Sequence, residues 1–276
     1  MSMFDKVAIV GTGLIGGSIA LAIKEKNLCR QIIGVSLHKK NLTLAERIGA
    51  VDIGSLSLEV IKDADLVIIA TPVSTILSLA PKIAAIIKKD CLVFDVGSTK
   101  VKIVRQLSGL FPFFVGTHPL AGSEKRGVSN AQPDLFRNSL CIITPVKNTD
   151  TAAVSRVKRL WNALGAKTLI MKPCRHDQIL GFVSHLPHVV AFSLINSIPD
   201  KFLKFSPASL KEATRVAASD SALWANIIMD NRENALKAIG KLQRNLEHIK
   251  SAVKKDNPTM LARIFQKAKK RRERLK

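Results

Sequence analysis

Two polar segments of this 276-residue chain bring together side chains that could transfer a proton. Ser98 lies in Asp95-Val96-Gly97-Ser98-Thr99-Lys100, and His118 begins His118-Pro119-Leu120-Ala121-Gly122-Ser123-Glu124. Each segment follows a short apolar run typical of a buried strand, and ligands bind at strand ends in open α/β sheets. A neutral imidazole beside a hydroxyl suits removal of a proton from an alcohol while a hydride leaves its carbon. A histidine at a strand end is more often structural, but a neighbouring nucleotide-binding motif favours the catalytic role.

A pair of histidines lies further along the chain, in Ser184-His185-Leu186-Pro187-His188. His185 and His188 are three residues apart and therefore share one face of a helix. Metal binding is one use of such a pair. The sequence has neither an H-E-x-x-H pattern nor a nearby pair of cysteines, so no metal site is predicted.

Two cations follow in the same half of the chain. Lys211 and Arg215 lie four residues apart, so on a helix their charges converge on one face. The pair suits an anionic ligand, although spacing alone is equally compatible with a solvated helix face. Trp224 and Asn231, seven residues apart, share a face of the next stretch.

A glycine-rich segment near the N-terminus predicts a site for a phosphate group. Gly11-Thr12-Gly13-Leu14-Ile15-Gly16 follows an apolar strand and opens a helix. The first glycine allows a tight turn, the second lets the backbone approach a pyrophosphate, and the third lets helix and strand pack closely. The amide groups at the start of the helix then face the anion. With a second strand ending about twenty residues later, this context predicts a dinucleotide coenzyme.

The end of that second strand bears on which coenzyme is used. A carboxylate there would bind the ribose hydroxyls of NAD and repel a 2′-phosphate, but the chain has Ser36, with His38, Lys39 and Lys40 behind it. These groups suit a phosphorylated ribose, so NADP is favoured over NAD; the alternative is a solvated basic start of a helix. The predicted coenzyme contacts are Gly11, Gly13, Leu14, Ile15, Gly16, Ser36, His38, Lys39, Thr71 and Pro72.

The elements that position these residues follow from the hydrophobic pattern. Residues 1–173 alternate short apolar runs with amphipathic helical stretches, which predicts a doubly wound, mostly parallel sheet of the Rossmann type. Helical periods dominate residues 174–276, which predicts an all-α second domain with a basic tail from about residue 255. The predicted strands are Val7–Val10, Gln31–Val35, Leu66–Ala70, Cys91–Val96, Phe113–Gly116, Leu140–Thr144 and Lys167–Met171, and the predicted helices of the second part are Ile179–Ile198, Ser209–Asn231 and Asn234–Lys254.

The charge of the chain invites another interpretation. It carries 43 Lys and Arg against 21 Asp and Glu, a net charge of +22, and residues 250–276 alone hold 11 basic and 2 acidic side chains. Such a tail would bind polyanions weakly and with a strong salt dependence. Because aromatic residues are scarce and no nucleic-acid-binding motif accompanies the tail, a specific nucleic-acid partner is not expected.

The cysteines and the uncharged run near the N-terminus indicate the cellular compartment of the protein. The four cysteines form no C-x-x-C pair, which favours reduced thiols in a cytoplasmic protein. The uncharged run Val7–Ile23 could pass for a signal peptide, but its glycines fit a turn better. No stretch reaches about 18 uninterrupted apolar residues, so no membrane span is predicted.

Five motifs, which follow one another along the chain, make the functional prediction more specific. They are G-T-G-L-I-G-G-S (11–18), D-V-G-S-T-K (95–100), H-P-L-A-G-S-E (118–124), S-H-L-P-H (184–188) and T-R-V-A-A-S-D (214–220) with Trp224 and Asn231 beyond it. In these motifs the chain resembles the prephenate/arogenate dehydrogenase family of tyrosine biosynthesis, from about residue 5 to residue 255. The resemblance implies oxidative decarboxylation of prephenate or arogenate, with hydride transfer to NAD(P)+.

The resemblance also implies roles for individual residues. His118 would accept the proton of the substrate hydroxyl, and Ser98 would hydrogen-bond both that hydroxyl and the imidazole. Arg215, aided by Lys211, would bind a substrate carboxylate. The remaining predicted substrate contacts are His188 and His185 in the pocket, with Ser123 and Glu124 at its mouth.

Assembly and specificity are the last expectations. The apolar segment Val189–Ile198 exceeds what a small helical bundle can bury, so a homodimer through the helical half is expected, and the family resemblance implies the same. Prephenate and arogenate present the same ring, and the sequence does not separate them. The alternatives are another NAD(P)-dependent hydroxyacid or imine reductase with a helical second domain, and a basic protein that associates with nucleic acid.

Overall fold

An eight-stranded sheet organises the first part of the chain, in a computed structural model that describes residues 2–122 and 125–275. The strand order is β3-β2-β1-β4-β5-β6-β7-β8, and neighbouring strands are parallel except for the β6–β7 pair. The first six strands have the order of a doubly wound dinucleotide-binding sheet, as the alternating pattern predicts. The strands are β1 (Phe4–Val10), β2 (Cys29–Val35), β3 (Ile53–Ser55), β4 (Leu66–Ile69), β5 (Leu92–Asp95), β6 (Phe114–Pro119), β7 (Leu140–Ile143) and β8 (Lys167–Ile170).

Helices cover both faces of this sheet. The central strand β4 is buried along its whole length, because apolar clusters lie on both sides of the sheet. Leu66 and Ile68 belong to one cluster, and Val67 and Ile69 to the other, as strand alternation requires. The covering helices are α1 (Leu14–Glu25), α2 (Lys39–Arg47), α3 (Val73–Ala84), α4 (Val101–Leu107) and α5 (Thr151–Ala163).

The second part of the chain is helical, so the predicted fold class is confirmed. A π-helical segment, Gly181–His185, joins α6 and α7 into one continuous helix. Short segments of this kind occur often at functional sites, since they turn a helix face through an extra residue. The helices are α6 (Pro173–Leu180), α7 (Leu186–Asn196), α8 (Ala208–Thr214), α9 (Ser221–Asp230), α10 (Arg232–Lys254) and α11 (Pro258–Arg272).

Two predictions about elements were wrong. The stretch 209–231 is not one helix: α8 ends at Thr214, a 3-10 turn covers Arg215–Ala218, and α9 begins after Asp220. The Asp220 side chain accepts a hydrogen bond from the amide of Leu223 (2.6 Å) and so caps α9, which makes a break more stable than a continued helix. The predicted strands also omit β3, which is only three residues long.

The α6–α7 helix is apolar and poorly covered. Residues Pro173–Asn196 are long and apolar enough to cross a membrane, with a mean hydropathy of 1.5, but only 22% of that apolar window is buried within the chain. Val183 is 63% exposed, and Phe182 and Leu194 also face solvent. Core and interface helices pass the same test of length and composition, and this one has polar residues buried against the rest of the chain, as described next.

Candidate active site

A cleft of about 540 Å³ separates the carboxyl ends of the sheet strands from the helical part of the chain. It gathers most of the residues that the sequence singles out for substrate. Those on the cleft wall are Ser98, His118, His185, His188 and Arg215, together with Trp224. Ser123 and Glu124, predicted at the mouth of the pocket, lie outside the described residues.

His118 occupies the end of β6, with one side of its ring toward the cleft. On the other side, its Nδ1 lies 2.9 Å from Nε2 of His176, and Nδ1 of His176 lies 2.7 Å from Oδ1 of Asp177. Asp177 accepts hydrogen bonds from the amides of Lys100 (2.8 Å) and Val101 (2.9 Å), at the start of α4. In the described part of the chain, the His118 ring is hydrogen-bonded to His176, and no hydrogen bond joins it to Ser98.

Burial and hydrogen bonding determine the protonation states of His118, His176 and Asp177. Burial, with His176 and Lys100 nearby, lowers the pKa of His118 well below its usual range. Burial also lowers the pKa of His176, although its hydrogen bond to Asp177 opposes the shift. For Asp177, burial alone would raise the pKa, but hydrogen bonds from His176 and two amides outweigh it. At neutral pH the site holds two neutral imidazoles and one carboxylate, and His118 can act as a base.

A buried ion pair lies directly behind His118. The Lys100 ammonium donates to the Asp95 carboxylate and to the Thr117 carbonyl (2.7 Å), and none of these three residues is exposed. Burial raises the pKa of Asp95, against the pull of Lys100. Because Thr117 precedes His118, the pair joins the ends of β5 and β6 and fixes the backbone that carries His118.

The other two histidines line the opposite wall. His185 is buried, and its Nδ1 lies 3.1 Å from Nδ2 of Asn231. Burial lowers the pKa of His185 to about 4, so it is neutral. His188 stacks on Trp224 with ring centroids 3.3 Å apart, and its Nδ1 donates to the Ser184 carbonyl (2.9 Å). Among residues 2–122 and 125–275, no three His, Cys, Asp or Glu side chains are arranged to hold a metal ion.

Arg215 brings a cation to the cleft, but Lys211 does not. Arg215 begins the 3-10 turn and lines the wall, whereas Lys211 lies on α8, exposed and away from the lining. The expected convergence of the two charges assumed an unbroken α-helix, and the α-helical spacing ends at Thr214. Of the two predicted cations, Arg215 is therefore the one that lines the cleft.

The glycine-rich turn has the shape that a dinucleotide requires. Gly11 has φ +104°, and a Cβ there would lie 2.6 Å from the Ala70 carbonyl; a Cβ at Gly16 would lie 2.0 Å from the Gly11 carbonyl. A Cβ at Gly13, by contrast, would meet no protein atom within 4 Å. Packing thus accounts for the first and third glycines, and close approach of a ligand accounts for the second.

Two buried hydroxyls support the same fit. Oγ1 of Thr12 and Oγ1 of Thr71 have no hydrogen-bond partner among the described residues, and they follow the neighbouring strands β1 and β4. Buried polar atoms normally have partners, and the polar groups of a bound nucleotide would supply them. Pro72, the N-cap of α3, lies beside them, and Leu14 and Ile15 begin α1 behind the glycines.

The loop after β2 carries the remaining predicted coenzyme contacts. The Ser36 hydroxyl accepts a hydrogen bond from the amide of His38 (3.3 Å), which is the N-cap residue of α2. Lys39 and Lys40 form the first turn of α2, and both are exposed. No carboxylate follows β2 before this helix, so nothing in the loop repels a 2′-phosphate.

Sequence reasoning missed His176 and Asp177. They lie in the first turns of α6, 58 residues from His118 along the chain, and spacing cannot reveal such a contact. The available signal was two adjacent ionisable residues near the start of the long apolar stretch Pro173–Asn196, and the structure shows that both are buried. Polar residues in that position need partners, so they mark a site.

Comparison with known proteins agrees with this geometry. The family profile for the nucleotide-binding domain of prephenate dehydrogenase matches residues 19–170, and the profile for its dimerization domain matches residues 172–267. The chain belongs to the prephenate dehydrogenase family. The family assignment from the five motifs is therefore confirmed, and the chain is a dehydrogenase.

Individual members of the prephenate dehydrogenase family are similar along nearly the whole chain. The Bacillus subtilis prephenate dehydrogenase is 36% identical over 97% of this chain and 75% of its own length. The Zymomonas mobilis cyclohexadienyl dehydrogenase is 32% identical over 100% and 98%. The Aquifex aeolicus prephenate dehydrogenase, solved with hydroxyphenyl propionate and NAD+, has a TM-score of 0.93 at 33% identity and covers 99% of this chain and 98% of that one.

Proposed function

We propose that the chain catalyses the oxidative decarboxylation of prephenate or arogenate, with NADP+ favoured over NAD+ as hydride acceptor. The observation that carries the proposal is a neutral imidazole, His118, in one cleft with Ser98 and the cation Arg215. Similarity to prephenate and cyclohexadienyl dehydrogenases supports the reaction. Similarity to the structure of Synechocystis arogenate dehydrogenase, with a TM-score of 0.83 at 26% identity, keeps arogenate as the second candidate substrate.

Each residue of the cleft has its own role in the proposed reaction. His118 takes the proton of the ring hydroxyl, and Ser98 hydrogen-bonds the same oxygen, so that a carbonyl-like oxygen forms as the ring loses hydride. Arg215 binds a substrate carboxylate, which a guanidinium recognises through two hydrogen bonds. The ring carboxylate leaves as CO2, its bonding electrons make the ring aromatic, and the proton returns from His118 to the phenolate oxygen. The imidazole is neutral again at the end.

The dinucleotide would be held by the Gly11–Gly16 turn and by the Thr12 and Thr71 hydroxyls. When bound, NAD(P)+ supplies the hydride acceptor. Preference for NADP+ is supported by Lys39 and Lys40 near the end of β2 and by the small Ser36 in place of a carboxylate.

We further propose that the protein works as a cytoplasmic homodimer. The exposed apolar face of α6–α7 supports pairing, as does the dimerization-domain profile over the helical part. All four cysteines are free thiols, which supports a reducing compartment.

Steady-state kinetics with prephenate and arogenate, each with NAD+ and NADP+, tests the proposal. We expect His118→Asn to keep its coenzyme affinity and to lose roughly 10²–10⁴-fold in kcat, the usual size for loss of a general base. A Lys39→Ala/Lys40→Ala double variant should raise KM for NADP+ and leave KM for NAD+ unchanged. Equal turnover by His118→Asn and the native enzyme would remove His118 from the mechanism, and no turnover of either substrate would refute the reaction.

A further inference from the structure

Two residues outside the cleft, His176 and Asp177, decide which nitrogen of His118 is free. We infer that Asp177, acting through His176, is a positioning residue that holds the His118 ring with its proton on Nδ1, leaving Nε2 as the base. The inference rests on the proposed function only for its catalytic consequence, since the position of a proton can be measured without substrate.

The Asp177 carboxylate fixes the position of the proton on His176. The Asp177 side chain is only 5% exposed, and its carboxylate accepts hydrogen bonds from the amides of Lys100 and Val101. An ionised carboxylate has no proton to donate. Its contact with Nδ1 of His176 at 2.7 Å is therefore a bond in which His176 donates.

The position of the proton on His176 in turn fixes the position of the proton on His118. A neutral His176 with its proton on Nδ1 has a lone pair on Nε2. His118 approaches that nitrogen through its own Nδ1 at 2.9 Å, so His118 must be the donor. Its proton is then on Nδ1, and the lone pair of Nε2 is left for the substrate hydroxyl. A free histidine side chain favours the opposite tautomer, so the protein has to select this one.

His185 shows the opposite arrangement in the same cleft. The Asn231 amide nitrogen donates to the Asp177 carbonyl (2.7 Å), and its oxygen accepts from the Asn234 amide (2.8 Å), which fixes the orientation of the Asn231 side chain. The same nitrogen faces Nδ1 of His185 at 3.1 Å, so His185 accepts there and carries its proton on Nε2. The cleft therefore presents a hydrogen-bond acceptor, Nε2 of His118, and a hydrogen-bond donor, Nε2–H of His185. Asp177 contacts both hydrogen-bond networks: its carboxylate binds His176, and its backbone carbonyl binds Asn231.

Imidazole ¹⁵N spectra of the full-length protein test the assignment directly. The signals of His118 are identified by their loss in His118→Asn, and we expect a protonated Nδ1 and a bare Nε2. His176→Leu removes the acceptor and keeps the Asp177 bonds to α4, so the His118 proton should move toward Nε2 and kcat should fall roughly 10²–10⁴-fold with coenzyme affinity unchanged.

Asp177→Asn gives the second variant, with a matched control. It should also move the His118 proton toward Nε2, since an amide can donate to His176. Asp150→Asn makes the same exchange at the N-cap of α5, where the Asp150 side chain accepts from the amide of Ala153 (2.6 Å) and asparagine caps about as well, so it should leave the His118 spectrum unchanged.

Two results would overturn the inference: a proton on Nε2 of His118 in the native protein, or an unchanged Nδ1–H signal in both His176→Leu and Asp177→Asn. The expected spectra together with no turnover of prephenate or arogenate would refute the proposed function and leave this inference standing.

Discussion

The contrast between Gly13 and Gly16 separates folding from coenzyme binding. In Gly16→Ala the new methyl carbon would lie 2.0 Å from the Gly11 carbonyl oxygen, a backbone atom that cannot move without opening the turn. In Gly13→Ala the methyl meets no protein atom within 4 Å. We therefore expect the first substitution to destabilise the protein strongly, and the second to impair ligand binding with a smaller loss of stability.

The magnitudes follow from these distances. Overpacking costs about 1–3 kcal/mol in ordinary cores, and a backbone contact this short belongs at the upper end. For a chain of this size each kcal/mol shifts Tm by about 2–4 °C, so Gly16→Ala should lose roughly 6–12 °C without coenzyme. Gly13 is the N-cap residue of α1, a position where glycine is favoured over alanine by about 0.5–1.5 kcal/mol, so this substitution should lower Tm by only roughly 1–6 °C.

Thermal unfolding with and without coenzyme measures both effects. A ligand at 100 times its Kd stabilises the native protein by about 2.7 kcal/mol, or roughly 5–11 °C. In Gly13→Ala this increment should vanish at the same coenzyme concentration, because the methyl group occupies the place where a pyrophosphate approaches the backbone. An unchanged increment in Gly13→Ala would refute the assignment of the turn, and a native Tm in Gly16→Ala would refute the packing argument.

Three further predictions concern charges. Arg215→Ala should raise the substrate KM about 10- to 150-fold, the equivalent of a charge-assisted hydrogen bond of about 1.5–3 kcal/mol, with coenzyme Kd unchanged in titration calorimetry. The lowered pKa of His185, about 4 in the folded chain, means that the unfolded chain gains its proton first as pH falls below about 6.5. Stability should therefore drop by about 2 kcal/mol between pH 7 and pH 5 from this residue, a loss missing from urea unfolding of His185→Gln. Lys100→Met should cost about 3–5 kcal/mol in urea unfolding by leaving Asp95 unpaired, and Lys100→Met/Asp95→Asn should recover part of it.

The features that the sequence predicted correctly are encoded by residues that lie close together in the chain. The glycine turn, the strand ends and the two-part organisation depend on residue types within a few positions of each other, so periodicity and spacing were enough. Ser98 and His118 follow neighbouring strands of one parallel arrangement, and topology alone brings them to one edge. The boundary near residue 173 stays a prediction.

What the sequence did not predict depends on contacts between distant segments. His118 meets His176 only because α6 packs against the end of β6 and the start of α4. The position of Arg215 depends on the helix break before α9, which the Asp220 cap favours although the stretch is periodic enough to continue as a helix. For the same reason Lys211 does not share one helix face with Arg215, and its contact with substrate stays a prediction.

The carboxylate of Asp177 explains why the helical part and the sheet must act as one unit. It accepts the amides that begin α4, on the sheet side, and it orients His176 and through it His118. Its backbone carbonyl accepts the Asn231 amide, which orients His185 on the helical wall. Separation of the two parts would leave the α4 amides without their acceptor and His118 without a fixed tautomer. On the proposed function, His118 is competent as the base only while the helical part is docked, so we expect a perturbation that loosens the docking to lower kcat before it unfolds the sheet.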